Sequence, residues 1–333
     1  MLATTSASCA RELADWPEAA TLDAIGMARG LTARLGAAMA VGEDARKLVD
    51  ANRNMGAAML DMLGRSRRRP SYLPDAHRRR FCRHSEQLEK QLRADITARR
   101  RAGISRGRDV LDATLDFSAT RPGLLDDHVV ARIIMANLFG MRGSPAICLA
   151  WVLHLLATHP PVQEEVRAEV RAADGCADLD GLPVTRAVVK EALRLYPPSW
   201  LLTRTMARSA EIGGYRLRAG PVLLVSPYAI HRDARWFDRP TAFDPDRWLN
   251  TAPPAEPRAF LAFGSGPMAC KGVSWVMTQT VIAAASVVRR WHLSADPSPY
   301  RLVACGDLRP VGLRLRLTSV AGSRAGAPNP PPG

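Results

Sequence analysis

The feature that most constrains this chain is an apolar stretch from Val129 to Ala157. It is long enough on paper to span a bilayer, which takes about 20 residues as a helix. Arg132, Arg142 and His154 fall inside it, however, and Pro145 interrupts it. Charges at mid-membrane depth are costly, so the stretch reads as a buried helix over 128–158 in a soluble, cytoplasmic protein with no membrane partner. Asp126 and Asp127 precede it, where acidic groups suit the positive end of a helix dipole. His159-Pro160-Pro161 ends it, because proline cannot continue the hydrogen-bond ladder. A chain of 333 residues that is 47% hydrophobic can bury such a helix.

Apolar spacing predicts further helices at 21–41, 43–63, 106–117, 161–173 and 184–195, and a polar, Arg-rich, largely exposed one at 75–102. After Pro197-Pro198 the texture changes. Glu211–Arg218 reads as two short strands around Gly213-Gly214, and Val222–Val225 as a third. Residues 233–258 are rich in Pro, Asp and Arg and read as irregular. A helix at 271–290 and strand-like pieces near 301–304 and 311–318 follow. The Gly/Pro-rich tail, 321–333, reads as disordered. The fold class is mainly α with a small β part, organised as a single domain over 1–320.

The net charge is +14, from 46 basic and 32 acidic residues, yet only four of the basic residues are Lys. Abundant Arg, Ala and Pro with scarce Lys point to GC-rich coding on a solvated surface, and no nucleic-acid partner is expected. The six cysteines, at 9, 82, 148, 176, 270 and 305, form no CxxC pair and no disulfide framework. The N-terminus lacks the basic-then-apolar pattern of a signal peptide.

The sharpest local signal is Phe260–Gly272, FLAFGSGPMACKG. An apolar run leads into a glycine-rich loop, then Cys270, then a helix start. A cysteine beside the free N–H groups of a helix N-terminus favours the thiolate, the form that binds metal. Gly264, Gly266 and Gly272 permit close approach of a flat ligand and backbone angles barred to other residues. The alternative is a small buried hydrophobe in a turn. The segment also fits a dinucleotide fingerprint, as Gly264-x-Gly266-x-x-Ala269, but that reading requires a preceding strand and a following acidic strand end. Upstream, Glu191-x-x-Arg194 places opposite charges on one helix face. Glu43/Arg46 and Glu164/Arg167 satisfy the same spacing.

In order and spacing, KEALRLYPP, three short strands, Phe243–Trp248 and the cysteine loop resemble the cytochrome P450 family of haem-thiolate monooxygenases. The resemblance runs from about residue 20 to 318. It implies a P450-like fold with haem b as cofactor and Cys270 as its thiolate ligand, within the pattern Phe263-x-x-Gly266-x-x-x-Cys270-x-Gly272. It also implies a structural salt-bridge triad of Glu191, Arg194 and Arg247, and a propionate contact from Arg204. His231-Arg232-Asp233 and Trp248 fit the family's connecting segments.

Several departures accompany the resemblance. The helix at 21–41 is similar to a later helix of the family, so N-terminal elements are expected to be missing. Met268 stands where the family often has a basic propionate partner. The acid and Thr of the distal helix align with Gly143 and Ser144, leaving Ser144 as the catalytic hydroxyl. Lys271 follows the cysteine directly and suggests a basic face for a ferredoxin-type donor. The function implied is oxygen insertion from O2 into an apolar small molecule, in secondary metabolism. The alternative is a catalytically impaired auxiliary protein that activates a partner enzyme such as a glycosyltransferase.

Overall fold

The computed structural model describes residues 2–17, 20–42, 46–65, 75–103, 109–173, 180–249 and 258–320. Two compact units emerge. The first comprises residues 1–16 and 29–146, the second 17–28 and 147–333. The predicted tail at 321–333 lies outside the described residues.

The first unit is helical: α1 (Leu2–Ala14), α2 (Ala24–Val41, from Arg29 on), α3 (Arg46–Arg65), α4 (Ala76–Ala102), α5 (Val110–Thr120) and α6 (Asp127–Gly140). The first, α1, was not foreseen, and Thr21–Asp23 is a strand rather than the start of the 21–41 helix. The Arg-rich α4 buries only Leu88, Leu92 and Ile96, one residue per turn, and leaves its charged faces to water. Its ends are set by side chains and glycine. Asp75 accepts the His77 N–H, and Gly103, at φ 63°, closes the last turn. Arg99 then joins three helix ends, donating to Asp109 at the N-cap of α5 and to the carbonyl of Val41 at the end of α2.

The long helix expected at 128–158 is two helices, α6 and α7 (Gly143–Thr158), broken at Met141-Arg142. The reason is a set of side chains that take over the freed carbonyls. Asn52 Nδ2 donates to Leu138 O (3.0 Å) and Thr32 Oγ1 to Arg142 O (3.3 Å). Arg142 in turn donates Nη1 to the carbonyl of Arg53 (3.1 Å). Pro145 sits in the first turn of α7, where no backbone donor is required, so it starts a helix rather than kinking one. By length and composition the 127–158 stretch is apolar enough to cross a membrane, and half of its most apolar window is buried in the protein.

The second unit has the remainder of α7, then α8 (Pro160–Ala172), α9 (Pro183–Leu195), the one-turn α10 (Pro227–Ile230) and α11 (Val273–Arg290). From Ala146 to Leu153 every residue of α7 is buried, and α11 buries Gln279–Ala285. Cys148 meets Thr280 between these helices, and burial pushes its thiol up to about 12. The start of α9 lacks a capping side chain of its own. Glu169 of α8 supplies one, accepting from the backbone N–H of Val184 and Thr185 and from the Thr185 hydroxyl.

Among the described residues, four small antiparallel sheets complete this unit. β1 (Thr21–Asp23), β9 (Arg314–Ser319) and β6 (Trp291–Ala295) form one, with β9 in the middle. The others are β2 (Leu202–Thr205) with β5 (Val222–Val225), β3 (Ala210–Ile212) with β4 (Tyr215–Leu217), and β7 (Arg301–Cys305) with β8 (Asp307–Val311). The β3–β4 turn is Gly213-Gly214 at φ 57° and 82°, the two positive angles that such a tight hairpin demands.

Candidate functional site

Cys270 is exposed and its thiol is free. The loop that carries it is built by glycine and backbone bonding. Phe260 and Leu261 run in behind the buried Ala259, and Gly264 N–H donates to Leu261 O (2.9 Å). Gly264 and Gly266 sit at φ 72° and 70°, the left-handed region that favours glycine. A short turn, Gly266–Met268, brings Cys270 N–H onto Phe263 O at 2.8 Å. Gly272 needs no unusual backbone angle, and a Cβ there would stand in ordinary contact with Cys270 Sγ at 3.8 Å. The helix predicted from 271 begins at Val273, with Gly272 as N-cap. Residues 258–265 form turns rather than a strand, which removes the context that a dinucleotide fingerprint requires.

Glu191 and Arg194 are wholly buried in α9. Their pairing is two-pronged, Nε to Oε2 at 2.9 Å and Nη2 to Oε1 at 2.7 Å. Arg194 spends its remaining N–H groups on the carbonyls of His231 (2.7 Å), Pro240 (2.6 Å) and Ala242 (2.9 Å). All five donors of the guanidinium are thus matched. Glu191 also accepts from Arg247 Nε (3.1 Å), the Asp244 N–H (3.0 Å) and Trp248 Nε1 (2.9 Å). The predicted triad is therefore one cluster, and Trp248 and the Asp244 backbone belong to it as well. The Phe243–Trp248 segment signalled these two in sequence, without saying which groups would point inward.

His231 is fully buried and bonds on both sides of its ring, Nδ1 to Arg194 O (2.9 Å) and Nε2 to the Leu261 N–H (2.8 Å). Burial, reinforced by the charges of Arg194 and Arg232, lowers its pKa to about 4. The imidazole is neutral at ordinary pH.

Arg204 lies in β2, exposed, donating Nη1 to the neighbouring Thr203 O (2.8 Å). Met268 and Lys271 are also exposed. Ser144 is exposed in the first turn of α7 and belongs to the first unit, whereas every other predicted site residue belongs to the second.

These residues fit a thiolate-held haem. Cys270 offers an exposed soft sulfur donor, and exposed Arg204 offers a cation for a carboxylate. Among the described residues no group of three or more His, Cys, Asp or Glu is arranged to hold a metal ion.

Comparison with known proteins follows the same line. The Cytochrome P450 family model matches residues 4–301. The chain is 36% identical to cyclooctat-9-en-7-ol 5-monooxygenase of Streptomyces melanosporofaciens over 68% of its own length and 50% of that protein's. It is 32% identical to pentalenene oxygenase of Streptomyces avermitilis over 75% and 59% respectively. It thus spans about half the length of the curated relatives it matches. Among solved structures, the cytochrome P450DA haem domain superposes with a TM-score of 0.81 at 21% identity, covering 96% of this chain and 73% of the other. The retinoic acid-bound cyanobacterial CYP120A1 superposes with 0.80 at 21% identity, covering 95% and 74%.

Proposed function

The chain belongs to the cytochrome P450 family, and from that premise we propose that it is a haem-thiolate monooxygenase inserting oxygen from O2 into an apolar small molecule in secondary metabolism. The observation that carries the reading is the Cys270 loop, a free and exposed thiol on a glycine-shaped turn. The two bacterial relatives are named for oxygenation of cyclooctat-9-en-7-ol and of pentalenene. Those names favour an enzyme over the auxiliary role considered from the sequence.

The chemistry supplied by a bound haem b is activation of dioxygen, with thiolate donation favouring O–O cleavage. The chain's own part is positioning and proton handling. Cys270 would hold the haem iron through its sulfur, and its backbone N–H is fixed on Phe263 O. Gly264 and Gly266 form the turn that presents the sulfur. Arg204 would pair with a propionate, and with Met268 apolar it would take that task without help from position 268. The Ser144 hydroxyl holds the water that delivers protons, beside a Gly143 that supplies no carboxylate. Electrons come from a ferredoxin-type donor that docks on a basic face including the exposed Lys271. Residues 1–320 act as one P450-like domain in the cytoplasm.

The test is spectroscopic. The full chain, loaded with haem, reduced and exposed to carbon monoxide, is expected to show the red-shifted Soret band of thiolate-ligated haem, and Cys270→Ser to lose it. A colourless protein that takes up no added haemin overturns the proposal.

A further inference from the structure

We infer that His231 is a positioning residue that ties the Cys270 loop to the buried Glu191–Arg194 pair. Residues 194 and 231 are joined twice, each through the other's backbone: Arg194 Nη1 donates to His231 O (2.7 Å), and His231 Nδ1 donates to Arg194 O (2.9 Å). The opposite ring nitrogen receives the Leu261 N–H at 2.8 Å. A carbonyl can only accept and a backbone N–H can only donate, so Nδ1 carries the proton and Nε2 the lone pair. The ring has one tautomer and one orientation in which both bonds exist. Phe260 stacks on it at 5.5 Å and Phe237 meets it edge-on at 5.8 Å, which holds that orientation.

From Leu261 the connection reaches the cysteine in two backbone steps. Leu261 O accepts Gly264 N–H (2.9 Å), fixing the left-handed turn, and Phe263 O accepts Cys270 N–H (2.8 Å). The entry of the loop is thereby anchored to the most deeply buried charges of the unit. A residue that only filled space here would need no second nitrogen. The depressed pKa of His231 agrees, since a protonated ring would lose its acceptor for Leu261. The functional consequence rests on Cys270 being the haem ligand; the structural tie does not.

Three variants separate the bonds. His231→Gln keeps an oxygen at the reach of Nε2 and so the acceptor for Leu261. His231→Asn keeps only the donor toward Arg194, and His231→Phe keeps neither. On the full chain, amide hydrogen exchange at Leu261, Gly264 and Cys270 is expected to quicken about fivefold or more in the Asn and Phe variants, the factor that one lost hydrogen bond implies. His231→Gln is expected to stay near wild type. In the haem-loaded, CO-bound protein, the share of thiolate-type Soret band is expected to fall in Asn and Phe and to be rescued in Gln. Equal exchange and equal band shares in wild type and Asn, at matched haem content, overturn the inference. The Asn–Gln pair decides the matter if Phe fails to fold. Absence of the band in wild type overturns the haem reading instead, and the exchange data then judge the tie by themselves.

Discussion

At the scale of single residues, the Glu191–Arg194 pair governs what this chain tolerates. Both side chains are fully buried, so removing one charge leaves the other without compensation. Glu191→Gln is expected to cost about 3–5 kcal/mol, read as a lower midpoint in urea unfolding. Arg194→Lys offers three donors where five are used and is expected to be nearly as damaging, with loss of haem uptake as a second readout. At Gly143 a Cβ would meet nothing within 4 Å, so the site has room for a carboxylate. Gly143→Asp is expected to raise product formed per O2 consumed and to lower peroxide release. An unchanged ratio would mean that position 143 does not gate protons. The pair itself was legible, because three-residue spacing on a helix brings opposite charges together. The same spacing also announced Glu164 and Arg167, and they too are an ion pair, with Arg167 buried beneath α11 and donating to Val288 O. Spacing therefore found contacts, and only the neighbouring segments told them apart by role. His231 gave no such signal, since its partners lie about 30 and 37 residues away.

At the scale of elements, boundaries depended on partners that no local window contains. The 127–158 stretch read as one helix because apolar periodicity runs straight through it. Its break is made by Thr32 and Asn52, from α2 and α3. Gly56 of α3 shares in this joint: a Cβ there would overlap the guanidinium of Arg142. Gly56→Ala is expected to displace Arg142 from the carbonyls of Asn52 and Arg53, and that loss offsets the roughly 1 kcal/mol that alanine gains over glycine in a helix, so Tm is expected to stay near wild type rather than rise. The start of α9 obeys the same logic. Glu169→Ala is expected to cost about 1–2 kcal/mol, as loss of a cap does elsewhere, and to weaken haem retention because α9 carries Glu191 and Arg194 of the triad. Strands β1, β2, β6 and nearly all of β8 went unseen, because strands of three to five residues give alternation little room and β5 stood out only as an unbroken apolar run. The β3–β4 hairpin was legible because Gly-Gly is itself the turn.

At the scale of the whole molecule, two histidines, His231 buried and His154 half-buried, make stability depend on pH. His154, packed against Trp151 and Tyr300, is lowered to about 4 by burial and by the nearby His159, and His231 to the same level. In the unfolded chain both return to about 6.5 and bind protons that the folded state refuses. Their contribution is therefore complete above pH 6.5 and is lost as pH falls toward 4, about 1–2 kcal/mol for each between pH 7 and 5. Tm is expected to drop over that interval, and His154→Gln to flatten the drop. A second consequence concerns the order of synthesis. β1 pairs only with β9, and Asp23 lies opposite Arg314. At ribosomal speeds of about 5–20 residues per second, β1 waits roughly 15–60 s for its partner to be made. Residues 29–146, the bulk of the first unit, are complete long before then. The unit that carries Cys270 therefore closes its three-stranded sheet only after β9 has emerged, long after the helices of residues 29–146 have been made.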